Sequence, residues 1–235
     1  MTGRRAGIGI VAAAMLLLLG GTACTADGGL PRPAQLLRNA AAAARATTSA
    51  HVTLQLSGAP LTGVSVRAMS ADVVRHGDAR AKGQLVVPSA FGDARFDFVE
   101  IDSTIYTRDA SGRFAPAPPQ QNGAANPLPT TLIDPHRGVA NLLSSMTSVQ
   151  TEARETVGDV DAFRVTGLVA AHDIAQVVPS VITDGTLTVW FKVGGRHEPV
   201  ATRLVIGQGE PASQSVLDVR VSDVNRPVHV ADPRS

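Results

Sequence analysis

The chain is poor in the residue types on which most recognisable protein chemistry depends. Its 235 residues include one Cys, one Trp and one Tyr, and aromatics make up only 3% of the total. A lone thiol has no partner for an intramolecular disulfide, so no disulfide framework holds this fold. With so few rings there is no stacking platform for bases or sugars, which argues against nucleic-acid and carbohydrate readers. Lys and Arg number 21 against 20 Asp and Glu, with signs alternating along the chain, so the basic face that phosphate binding requires is missing as well. The main apolar run, Ile8 to Leu19, is shorter than the ~20 residues a bilayer-spanning helix needs.

Signatures of catalysis are absent too. His51, His76, His136, His172, His197 and His229 are dispersed, with no His-Glu-x-x-His pair and no other zinc spacing. No Gly-x-Ser-x-Gly elbow occurs. Gly77 to Gly83 looks superficially like a phosphate loop, but Lys82 precedes the second Gly and no Ser or Thr follows, so a turn entering a strand is the better account. Asp159 and Asp161 flank Val160 at a hairpin turn and read as solvated turn residues, not a calcium loop. The expectation is a protein with no catalytic residues, no cofactor and no metal.

What is present begins at the N-terminus. Arg4 and Arg5 precede the apolar run, and Gly21-Thr22-Ala23 leads into Cys24. Basic head, apolar middle and small residues are the layout of a secretory signal. An ending in Cys24 resembles the lipobox of bacterial lipoproteins, whose peptidase cuts before a cysteine carrying diacylglycerol; Gly21 stands where Leu is usual. The sequence thus predicts a signal peptide over 1–23, a lipidated Cys24 with a flexible tether over 24–33, and one domain over 34–235. Removing Arg4 and Arg5 with the signal turns the small basic excess into a small acidic one. Attachment to the outer face of the plasma membrane then depends on the lipid on Cys24.

Ala34 to Thr47 is Ala-rich with Leu36, Leu37, Ala40 and Ala44 at helical spacing, which predicts a helix. The period changes at His51 to Ser57, where polar and apolar residues alternate as in a strand with one buried face. Val64 and Val66, Ala71 to Arg75, Ala81 to Val87, Arg95 to Ile101 and Thr104 to Arg108 extend the series, with short turns between. Phe114 to Pro129 is Pro-rich and reads as an extended loop. A second helix is predicted with Asp134 as N-cap and Pro135 at its first position, running to Ser145; a third covers Ala170 to Val178. Strands resume at Ser148 to Val157, Ala162 to Leu168, Gly185 to Val193, Pro199 to Ile206 and Ser215 to Val224. Short connections leave no room for crossover helices, so the fold class is α+β with an antiparallel sheet.

Such a sheet must cover its apolar face, and the helices offered for this are few and built of small residues. They either close on it as an ordinary core or roof a hollow suited to alkyl chains; composition alone does not separate the two.

Several stretches together resemble a known family, the mycobacterial lipoproteins LprG, LprA, LprF and LppX. They are Ser49 to Leu54, Ile105-Tyr106, Ile133 to Leu143, Glu152 to Glu155, Phe163 to Gly167 and Val189-Trp190; the Asp-Pro-x-x-Gly-x-Ala-x-Leu-Leu segment within Ile133 to Leu143 is the most specific. The resemblance implies a strongly curved antiparallel β half-barrel with helices on its concave face, enclosing a hydrophobic cavity. It implies acylated lipids or glycolipids as partners, such as phosphatidylinositol mannosides, lipoarabinomannan or triacylglycerol, and a link to a major-facilitator efflux transporter. Transferred onto this chain by alternation, the implied cavity lining is Leu85 and Val87, Phe96 and Phe98, then Leu187, Val189 and Phe191 on strands, with Leu142, Leu143, Val177 and Val178 from helices. The position of Leu85 has the greatest weight, because the matching family position lies at the cavity.

The first reading is therefore an envelope lipid carrier without covalent chemistry. The alternative is an accessory or chaperone lipoprotein with a filled core. A lipid or glycan hydrolase lacks the nucleophile or carboxylate pair it would need.

Overall fold

The computed structural model describes residues 29–75, 79–117 and 128–234. Cys24, the signal segment and most of the Pro-rich stretch therefore lie outside the described residues.

Eleven antiparallel strands form one open sheet in the order β6-β5-β4-β3-β2-β1-β11-β10-β9-β8-β7. In chain order they are β1 (Ser49–Gly58), β2 (Ala68–Val74), β3 (Arg80–Ser89), β4 (Gly92–Ile101), β5 (Thr104–Arg108), β6 (Phe114–Pro116), β7 (Thr147–Val157), β8 (Val160–Val169), β9 (Gly185–Lys192), β10 (Pro199–Ile206) and β11 (Ser215–Ser222). Two hairpin meanders, β1 to β6 and β7 to β11, are joined where β1 pairs with β11 over His51–Ser222 to Gly58–Ser215. Among the described residues the sheet does not close, and four helices pack on one face of it: α1 (Pro33–Arg45), α2 (Pro129–Leu132), α3 (Val139–Ser145) and α4 (Ala171–Ile174). This is the expected α+β half-barrel.

Period-2 burial along the strands defines the helix-facing side. In β9 Gly185, Leu187, Val189 and Phe191 are buried while the residues between them are partly or fully exposed. Ala50, Val52 and Leu54 of β1 and Met69, Ala71 and Val73 of β2 continue this face through direct register pairs. Close approach is enforced at Gly83, where an added Cβ would sit 2.0 Å from the Ser70 carbonyl oxygen. The opposite face is polar and laced across strands. Arg203 pairs directly with Asp218 at 2.7 Å, and Arg164 reaches Glu152 at 3.0 Å and Glu155 at 3.1 Å. Opposite charges at facing positions help pin register. Where the outer face turns apolar, at Val99 and Ile101, the C-terminal segment covers it with Val230.

α1 forms where Pro33 opens the helix with its φ already set and Leu36, Leu37, Ala40 and Ala41 make one buried stripe. Arg45 in its last turn suits the helix dipole and donates to Ser144 Oγ at 2.6 Å, fastening α1 to α3.

Some local expectations are corrected. Val64 and Val66 lie in an irregular segment between β1 and β2, because Leu61, Gly63 and the Val64 N–H to Leu61 carbonyl bond turn the chain there. Asp134 does not cap α3. Its carboxylate accepts the backbone N–H groups of His136 and Arg137, closing a turn one step earlier, and the helix starts after Gly138. The helix expected over Ala170 to Val178 is α-helical only to Ile174, after which turns lead to Pro179. The Pro-rich stretch contains a short edge strand, β6, and ends in α2.

Candidate functional site

The helix-facing side of the sheet is the candidate site. Leu85, Phe98, Leu187, Val189 and Phe191 from strands meet Leu142, Leu143, Val177 and Val178 from the α3 and α4 regions in one continuous apolar cluster. Each of these is at least nine-tenths buried, from Phe191 at 0% exposed to Leu85 at 6%. Val87 and Phe96 have the same strand phase, since Leu85 pairs with Phe96 and Val87 with Ala94. They are less covered than the rest: Val87 is half-buried and Phe96 is 39% exposed. The lining implied by the sequence lacks β1, β2, β8, β10 and β11, which add Val52, Leu54, Ala71, Val165, Leu204 and Leu217 to the same cluster. Alternation in His51 to Ser57 was the available signal for the first two.

This interior is apolar and, among the described residues, nearly free of charge. Its exception is Glu100, fully buried on β4, whose carboxylate accepts the Thr130 N–H at 3.1 Å and the Thr130 hydroxyl at 2.5 Å. Those bonds tie α2 to the sheet. Burial raises the Glu100 pKa above its ordinary 4.5, outweighing the two Thr130 bonds that lower it. A raised carboxylate contributes stability that is full below about pH 4.5 and is lost as the pH rises through the folded value. Glu100→Gln keeps a partner for Thr130 and removes the buried charge. Melting curves from pH 4.5 to 7.5 are expected to show the variant gaining on the wild-type chain as pH rises; a constant difference would contradict this assignment.

Among the described residues, surface recesses lie on the other side of the sheet. One, of about 560 Å³, runs diagonally across the outer face past Thr53, Gln55, Arg203, Asp218 and Trp190. Two pairs of its polar groups hold each other: Arg203 binds Asp218, and Trp190 Nε1 donates to Glu155 at 2.5 Å. The second, of about 710 Å³, lies beside the C-terminal segment at Lys82, Gln84, Asp97 and His229. Among the described residues no group of three or more His, Cys, Asp or Glu is arranged to hold a metal, and no helix is long and apolar enough to cross a membrane. The helix-facing wall therefore offers area and van der Waals contact with little directionality, the chemistry of alkyl-chain binding.

Comparison with known proteins agrees with this architecture. Residues 32–230 match the family model described as LppX_LprAFG lipoprotein. The lipoarabinomannan carrier protein LprG of Mycolicibacterium hassiacum is 29% identical over 211 residues, covering 87% of this chain and 85% of the relative. LprG of Mycobacterium leprae is 24% identical over 212 residues, covering 88% and 85%. Among solved structures, LprF from Mycobacterium bovis superposes with a TM-score of 0.70 at 20% identity, covering 87% of this chain and 99% of that one. LppX from Mycobacterium tuberculosis gives 0.62 at 21% identity, covering 86% and 100%.

Proposed function

This chain belongs to the LppX_LprAFG lipoprotein family, and from that premise we propose that it binds acylated lipids or glycolipids between its sheet and helices and carries or presents them between the inner membrane and the outer envelope. The observation that carries the proposal is the continuous, mostly apolar wall from Val52 to Phe191, roofed by helices of only four to thirteen residues. Helices shorter than about 12 residues are marginal on their own and owe their order to packing. An acyl chain that replaces their contacts with the sheet offers the same apolar surface, at about 0.8 kcal/mol for each buried CH₂. No bond is made or broken in this reading. Export, cleavage before Cys24, acylation of Cys24 and a domain over 34–235 complete the proposal, with anchorage to the outer face of the plasma membrane. The names of the LprG relatives support a glycolipid such as lipoarabinomannan as cargo. An accessory role beside an efflux transporter is compatible with the same carrier.

A transfer assay tests it. Purified protein is expected to accelerate movement of a fluorescent diacyl lipid from donor to acceptor vesicles in proportion to protein concentration. Transfer at the rate of vesicles alone, from folded protein, would remove the carrier reading.

A further inference from the structure

The β3–β4 ribbon carries the apolar side of the sheet out beyond its helical cover. Along this face exposure rises from Phe98 at 1% and Leu85 at 6% to Phe96 at 39%; in the turn beyond it, between Ser89 and Gly92, Phe91 is 102% exposed. From Leu85 to Ser89 the strand advances roughly 13 Å. The tip is a built turn and not a loose end. Ser89 pairs with Gly92 in register, the Ser89 hydroxyl donates to the Gly92 carbonyl at 2.6 Å and accepts the Phe91 N–H at 3.3 Å, and Gly92 takes φ 109°, which a side chain rarely adopts. The adjoining segment is fastened to its flank by the Arg67 N–H on the Val86 carbonyl at 2.7 Å and an Arg67–Asp93 ion pair at 3.4 Å. A stiff two-stranded ribbon thus holds one phenyl ring in water, with no partner among the described residues.

We propose that this ribbon is the part of the protein that enters a lipid bilayer, with Phe91 seated at headgroup depth and the stripe Val87–Phe96–Leu85 forming the track by which an acyl chain passes to the interior. The inference rests on the proposed function for its cargo and for the lipid on Cys24; the contact of the ribbon with the bilayer is read out separately from both. Three features select a bilayer over a protein partner. One ring buries 150–250 Å² or so, well under the ~800 Å² per partner of a stable protein interface. A fluid interface accepts a single protruding aromatic ring, as the aromatic belts of membrane proteins do. Cys24 lies nine residues before Pro33 at the start of α1, so a lipid there keeps the domain within roughly 30 Å of the membrane surface.

The full chain is reconstituted into phosphatidylcholine–phosphatidylglycerol vesicles with and without brominated acyl chains. Phe91→Trp places a reporter at the tip, and emission of the native Trp190 on the outer face is measured in the unsubstituted chain and subtracted. The expected result is a blue-shifted signal from position 91, quenched roughly twofold by brominated lipid, with Trp190 unaffected. Emission from position 91 that stays red-shifted and unquenched overturns the proposal. Phe91→Asp supplies the functional arm: bound lipid is retained and transfer from vesicles slows about tenfold, because only the docking contact is lost. An unchanged transfer rate in that variant also overturns it. Quenching at position 91 in protein that never holds lipid would uphold docking and remove the carrier reading, whereas lipid-loaded protein without quenching would do the reverse.

Discussion

Leu85→Trp is expected to reduce bound lipid from stoichiometric to below about a tenth while the sheet stays folded. Leu85 is buried at the margin of the apolar wall, opposite half-exposed Phe96 and next to half-buried Val87 on the same face. An indole placed there has room to lean along the uncovered ribbon, so overpacking costs roughly 1–3 kcal/mol and not the whole fold. The ring would nevertheless occupy the path that an acyl chain must share with Leu85. Circular dichroism and melting check the fold, and organic extraction checks the lipid. Undiminished lipid in the variant would show that cargo does not pass Leu85.

Phe191→Ala is expected to have the largest effect on stability. Phe191 is fully buried on β9, paired with Phe163 on one side and Pro199 on the other, near the middle of the second meander. Removing a buried ring costs about 3–5 kcal/mol through lost transfer energy and the cavity left behind. In a chain of this size that lowers the melting temperature by roughly 10 °C. The contrast with Phe91 is the useful control: both are Phe, and Phe91→Ala should leave melting unchanged because its ring touches only water. If the two variants melted alike, the inward assignment of the β9 face would be wrong.

Much of this architecture is legible in the residues themselves. Alternation in His51 to Ser57 and in Leu187, Val189 and Phe191 is strong because one face is buried and the other solvated, and the register pairs agree with the predicted phase. Phase alone does not say where cover ends. Phe96 and Phe98 are two residues apart on one face, yet one is 39% exposed and the other 1%, so burial on this face falls off toward the β3–β4 turn. Asp134-Pro135 illustrates a different limit: a carboxylate that accepts two following N–H groups satisfies a turn and a helix start equally well, and only the chain beyond decides which forms. β6 escaped notice because Pro116 is poor in a sheet interior but tolerable on an edge strand, where one side has no partner. Buried Glu100 left no mark in the alternation, since its hydrogen-bond partner Thr130 is thirty residues away.

Native mass spectrometry of the protein purified from a mycobacterial host, with the bound species released and identified, tests the central claim most directly. The account predicts a folded protein carrying about one diacylated lipid or glycolipid per chain, absent from Leu85→Trp. A folded protein of bare polypeptide mass that stays empty when offered glycolipid would contradict it and favour the accessory role with a filled core.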